Sequence, residues 1–90
     1  MALVNKANTL SVTDTIAFVT VPPCRNWHFH NSGATECIVY PNDTASASTD
    51  NAVYIPANCV WYEDKMLNPL TSFGYKTASG STSLRYKVIE

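Results

Sequence analysis

The two histidines of the chain, His28 and His30, are the residues whose type and spacing most suggest chemistry. Side chains two positions apart on a β-strand point to the same face, so this pair of imidazoles can bind one metal ion. Histidine also changes charge between pH 5 and 8, which suits acid–base chemistry or pH sensing. A metal site needs a further ligand, and only Glu36 is placed by the local pattern where it could join His30. The alternative, which we favour, is two surface histidines with a cross-strand contact between His30 and Glu36.

Other kinds of active site find little support in the sequence. It has no Gly-x-Ser-x-Gly motif, which would expose a nucleophile at a strand–helix turn, and its three glycines are too few for a phosphate-binding loop. Glu63 and Asp64 are adjacent, so in an extended chain they point to opposite sides and do not form a carboxylate pair. We therefore predict that no residue is catalytic, that none binds a cofactor or a metal, and that the protein is not an enzyme.

The histidines lie in a stretch that predicts a β-hairpin, with strands at residues 26–31 and 36–40 around a polar turn that contains glycine. If Asn31 and Thr35 bracket the turn, Phe29 faces Cys37 and Trp27 faces Val39. The same register pairs residue 28 with 38 and residue 30 with 36. The apolar residues then share the core side, and both histidines point outward.

The rest of the chain predicts further short strands at spacings of about 8 to 12 residues, which is typical of a sandwich or small barrel. No segment has a helical pattern. We predict an all-β fold, a small antiparallel β-sandwich or barrel of about seven or eight short strands. Its single domain covers residues 9–90, after an N-terminal arm at residues 1–8. The remaining strands are predicted at residues 15–21, 52–55, 59–62, 72–77 and 83–90, with a surface loop at residues 43–51.

In the last two of these strands the alternation is clear enough to predict a second, closing hairpin. Leu84, Tyr86 and Val88 share one face, whereas Arg85 and Lys87 share the other. The predicted strand at residues 15–21 is followed by two prolines, at positions 22 and 23. Proline has no N–H group to donate to the hydrogen bonds of a β-sheet, so we expect this strand to end before them.

The three cysteines, Cys24, Cys37 and Cys59, are an odd number without a Cys-x-x-Cys pair. They specify neither a zinc site nor a complete set of disulfides. We expect all three to be small buried hydrophobic residues in a reducing compartment.

The two tryptophans leave two interpretations open. Trp27 is predicted to lie in the core, whereas the face of Trp61 is not determined, because residues 59 and 61 or residues 60 and 62 could point inward. An exposed pair of aromatic rings would instead suggest a platform for sugars or bases.

Composition limits the partners. Hydrophobic residues make up 46% of the chain and charged residues 14%, and the formal net charge is -1. Binding to nucleic acid or to an anionic membrane usually requires a clustered excess of Lys and Arg, so we expect neither partner. A weakly charged surface favours self-association, and we predict a homo-oligomer.

Residues 1–10 lack the apolar stretch of a secretory signal, and no apolar run approaches the ~20 residues of a membrane span, so we expect synthesis in a cytoplasm.

Several segments share their order and composition with a known family. They are the Arg-led strand at residues 25–31, the strand at 34–40, the Pro-containing turn at 55–58, the segment Phe-Gly-Tyr-Lys-Thr-Ala-Ser-Gly at 73–80 and the final strand at 84–90. Over about residues 9–90, the sequence resembles the small β-sandwich structural proteins of tailed bacteriophage virions. Asn58 departs from the pattern, because those proteins usually have Gly in this turn.

This resemblance implies a virion structural protein that is made in the host cytoplasm. Its expected function is that of a capsid decoration protein, which stabilises the capsid by binding the major capsid protein or other virion subunits. The alternative function is a carbohydrate-binding or host-adhesion module on a head fibre or tail. The resemblance carries over no catalytic residue and no cofactor.

Overall fold

The computed structural model describes residues 4–42 and 52–89. In these ranges the chain forms eight strands and no helix, as expected from the short alternating runs of the sequence. The predicted all-β class is confirmed, and none of the described residues forms a helix that could cross a membrane. The strands are β1 (Val4–Val12), β2 (Ala17–Cys24), β3 (Asn26–Asn31), β4 (Cys37–Pro41), β5 (Val53–Ile55), β6 (Val60–Glu63), β7 (Leu70–Lys76) and β8 (Thr82–Ile89).

These strands form two four-stranded antiparallel sheets. Sheet 1 has the order β1-β8-β3-β6, and sheet 2 has the order β2-β7-β4-β5. Apart from the neighbours β4 and β5, each strand is followed in the chain by a strand of the other sheet. Eight strands wound between two facing sheets in this way form a jelly roll.

The core lies between the two sheets and is built from the inward positions of both. Trp27 and Phe29 of β3 lie in it, together with Cys37 and Val39 of β4, as the alternation predicted. In β8 the alternation is equally regular, with side chains 84, 86 and 88 buried and side chains 85 and 87 exposed. The predicted inward and outward faces of β3, β4 and β8 are therefore confirmed.

The predicted hairpin between residues 26–31 and 36–40 is wrong. β3 lies in sheet 1 and β4 in sheet 2, so the segment between them crosses from one sheet to the other. Phe29 pairs with Trp61 of β6 and Tyr86 of β8, not with Cys37. The predicted closing hairpin is wrong for the same reason, because β7 lies in sheet 2 and β8 in sheet 1.

Two strand boundaries also differ from the prediction. β2 continues through Pro22 and Pro23 to Cys24, with a shift in its register against β7 between Thr20 and Cys24. Such an irregularity is where a ladder tolerates residues that have no N–H. β1 begins at Val4 and pairs with β8, so it includes part of the segment that was assigned to the N-terminal arm. The predicted loop at residues 43–51 lies outside the described residues.

Candidate functional site

The outward face of sheet 1 brings together the histidines and two basic residues of β8. Within the ladder, His28 pairs with Lys87 on one side and with Tyr62 on the other. Directly paired residues of antiparallel strands project to the same face, so these three side chains form one row across the sheet. Two residues further along β3 a parallel row forms, in which His30 lies between Arg85 and Val60.

These two rows, which we call the basic face, consist of His28, His30, Arg85 and Lys87 with Tyr62 and Val60 beside them. His28, Arg85 and Lys87 are exposed, and His30 is half-buried. Beyond β8 the rows end at Ala7 and Thr9 of β1, so no carboxylate belongs to either row. The basic face thus concentrates positive charge in a chain whose net charge is -1.

Tyr62 forms one border of the basic face. Its ring lies against the imidazole of His28, with ring centroids 6.3 Å apart and an angle of 31° between the planes. The tyrosine is 67% exposed, although it is a large aromatic residue. It therefore offers an apolar surface next to the exposed imidazole and the ammonium of the same row.

A cleft of about 290 Å³ opens beside the first row, toward the start of β3. Its polar and apolar walls come from strands β3, β6 and β8. The lining residues of these strands are Asn26, Trp27, His28, Tyr62, Glu63, Lys87 and Ile89, and Asp64, which directly follows β6, lines the cleft as well.

The hypothetical metal site with Glu36 does not form. His28 and His30 do share one face, but Arg85 and Val60, not Glu36, lie opposite His30. The glutamate precedes β4, which belongs to the other sheet. Among the described residues, no group of three or more His, Cys, Asp or Glu side chains is placed to hold a metal ion.

The adjacent carboxylates Glu63 and Asp64 differ in their surroundings, as residues of opposite orientation should. Glu63 is half-buried, and its Oε2 accepts a hydrogen bond of 3.0 Å from Nε1 of Trp61. Both carboxylates line the cleft, but Asp64 is exposed. Only the aspartate is therefore available to a ligand as a solvent-exposed carboxylate.

The tryptophans do not form an exposed platform. Trp27 is 5% exposed, which confirms its place in the core. Trp61 also points inward and is partly buried, stacked on Phe29 with centroids 5.3 Å apart. The sequence does not determine its face, because both sets of alternating side chains in β6 are apolar.

The cysteines follow the prediction at two of three positions. Cys24 and Cys37 are buried, whereas Cys59 is exposed, so the prediction for Cys59 is wrong. Cys59 lies just before β6, in the turn that follows β5. Burial raises the pKa of the Cys37 thiol to about 12, and it also raises the pKa of Cys24, where hydrogen bonds to the backbone of Ile89 and Leu70 oppose part of the effect. Both buried thiols are held in the neutral, unreactive form.

No family model matches the sequence, and no curated protein matches it. Solved structures share the fold, among them the following two. A cobalt(II) form of HppE in complex with substrate has a TM-score of 0.59, and hydroxypropylphosphonic acid epoxidase from S. wedmorenis in complex with fosfomycin has a TM-score of 0.60. In both cases the sequences are 14% identical, and the match covers 91% of this chain but only 42% of the other. The likeness is one of fold.

These matches correct the function expected from the sequence. These two structures are of an epoxidase, and neither points to a virion protein. The predicted function as a capsid decoration protein, with its alternative as a carbohydrate-binding head-fibre or tail module, is therefore wrong. The resemblance itself, the partners and the location are not tested by these matches and stay predictions.

Proposed function

We propose that this jelly roll is a non-catalytic binding domain that captures small anionic ligands on the basic face of sheet 1. The observation that carries the proposal is the pairing of His28 with Lys87 and of His30 with Arg85, which places four basic side chains in two adjacent rows. The sheet backbone holds these rows in place, so the positive groups converge without a mobile loop.

The spacing suits an anion of the size of sulfate or phosphate. Neighbouring strands lie about 5 Å apart, and the two rows are separated by two residues, or about 7 Å. The long side chains of Arg85 and Lys87 can close that separation and donate charge-assisted hydrogen bonds to one group of oxygens. Within the described ranges, neither residue has an ion pair with a carboxylate that would compete.

Binding without catalysis fits the chemistry of the face. Its rows contain no serine, threonine or cysteine beside a histidine, so they lack a nucleophile and base in contact. The epoxidase was solved with substrate and with fosfomycin, and the match covers 42% of its chain. Its chemistry is not transferred, because one fold hosts many unrelated activities.

The test is a titration of the full chain with inorganic sulfate, followed by NMR of the backbone amides. We expect the largest shifts at residues 28, 30, 85 and 87. Lys87→Gln should weaken binding by about 1 kcal/mol, or about fivefold, because an exposed charge contributes up to that amount. Lys76→Gln, which makes the same charge change in sheet 2, should bind like the native protein. Equal affinities of the two variants, or no shift on the basic face, would refute the proposal.

A second arm of this titration removes the imidazoles. His28 is faced by Lys87 and Tyr62, and His30 by Arg85 and Val60, so both imidazoles lie beside the cationic groups of the basic face. The double variant His28→Gln, His30→Gln should bind sulfate more weakly than the native protein, because it removes the imidazole from both rows. Equal affinities of the double variant and the native protein would contradict a role for the histidines.

A further inference from the structure

We infer that the ligand of the basic face is a small zwitterion, whose acidic group binds at Lys87 and His28 and whose amine reaches Asp64 across the cleft. The inference rests on the proposed function and adds the chemical class of the ligand. It is carried by the composition of the cleft, which is lined by the basic side chains of His28 and Lys87 and by two carboxylates, the half-buried Glu63 and the exposed Asp64.

The register of the strands sets the separation of the two charges. The row of His28 and Lys87 is followed on the same face by the pair of Asn26 and Ile89, two residues further toward the start of β3. Asp64 directly follows β6, the strand that pairs with β3 along this stretch. At about 3.4 Å per residue, the rows are about 7 Å apart along the strands. Asp64 lies about one strand spacing of 5 Å from β3, which carries His28, and about two spacings from β8, which carries Lys87. The long side chain of Lys87 can shorten this separation, so that a short chain between an acid and an amine can span it.

The two sides of the cleft do not neutralise one another. No ion pair joins Asp64 to Lys87 in the described part of the chain, although both line the same cleft and both are exposed. A monovalent or divalent anion alone would satisfy only the basic side and would place negative charge near Asp64. A ligand that also carries an ammonium group converts this repulsion into an attraction.

The cleft also limits the size of the ligand and favours an apolar middle part. Its volume of about 290 Å³ lies at the lower end of the range for ligand pockets, so the ligand must be small. The ring of Tyr62 and the side chain of Ile89 supply apolar wall between the charged groups. A chain of a few methylene groups can pack against this wall while its ends reach the charges.

The experiment compares three probes on the full chain: 3-aminopropylphosphonate, propylphosphonate and propylamine. We expect 3-aminopropylphosphonate to bind about three to five times more tightly than propylphosphonate, the gain expected of one exposed charge pair. Propylamine should bind more weakly than either phosphonate. Asp64→Asn should abolish the preference for the amine-bearing probe, whereas Asp14→Asn, which removes an exposed carboxylate from the β1–β2 turn, should retain it.

The outcomes separate this inference from the proposed function. Equal binding of the two phosphonates, or a preference that survives Asp64→Asn, would overturn the zwitterion and leave anion binding intact. Loss of binding of both phosphonates and of sulfate would refute the proposed function and the inference with it. A preference that disappears in Asp64→Asn and persists in Asp14→Asn supports both.

Discussion

At the scale of single residues, Asn31 links the two sheets from a fully buried position at the end of β3. Its Nδ2 donates to the carbonyl oxygens of Thr35 at 2.8 Å and Ile55 at 2.9 Å. Its Oδ1 accepts from the backbone N–H of Gly33 at 3.2 Å and from the hydroxyl of Thr82 at 2.7 Å. The amide therefore uses its whole hydrogen-bonding capacity in the interior. The sequence suggested only a turn residue here; the polar residue at an inward position of β3 was the signal that could have revealed the network.

Asn31→Ala should destabilise the protein strongly, because it leaves buried donors and acceptors without partners. We expect a loss of about 3 kcal/mol in the free energy of unfolding, measured by urea denaturation. Asn68→Ala, in an exposed loop, should change it by less than about 0.5 kcal/mol. Similar stabilities of the two variants would show that the network contributes little.

At the scale of the elements, the connection after β3 decides which strands pair. Both edges of β3 are occupied, one by β6 and the other by β8, so β4 has no place beside it. The connection is anchored on β8, since the N–H of Ser32 donates to the carbonyl oxygen of Ser83 at 2.9 Å. Alternation in the sequence tells which side of a strand is apolar, but it does not tell which strand will lie beside it.

Gly33 in this connection lies against the start of β8, so a side chain there should disturb the crossing. A Cβ atom would overlap Thr82 Oγ1 and would lie 2.9 Å from the backbone nitrogen of Ser83. The Thr82 hydroxyl is held in place by its hydrogen bond to Asn31. We expect Gly33→Ala to lower the melting temperature, at a cost of about 1–3 kcal/mol. The neighbouring exposed variant Ala34→Ser is the control, and an equal melting temperature for both would rule out the close packing.

At the scale of the whole molecule, the last strand holds the sheet that carries the basic face. β8 lies in the interior of sheet 1 and pairs with β1, near the start of the chain, and with β3. Its side chains Leu84, Tyr86 and Val88 are buried between the sheets. Sheet 1 therefore depends on contacts between residues at opposite ends of the sequence, which cannot form in a partial chain.

Removal of residues 82–90 should abolish cooperative folding. The truncation removes two strand ladders and three core side chains. Each core side chain contributes about 2–5 kcal/mol to the free energy of unfolding. The total free energy of unfolding of a small domain is only about 5–15 kcal/mol. We expect the loss of the near-UV circular dichroism signal and of the thermal transition that the full chain shows. A truncated chain that still melts cooperatively would mean that sheet 2 folds without β8.

The sequence by itself determined the all-β class and the approximate positions of most strands. It also determined which side of β3, β4 and β8 faces the core. These features follow from the alternation of polar and apolar residues with a period of two, which is a local property of the chain. Only the tertiary structure decided that two predicted hairpins are instead crossings between sheets. It also decided that His28 lies between Lys87 and Tyr62, rather than opposite Ile38. The candidate site could not be predicted for this reason: its members come from strands far apart in the chain, and their pairing depends on how both sheets close around one core.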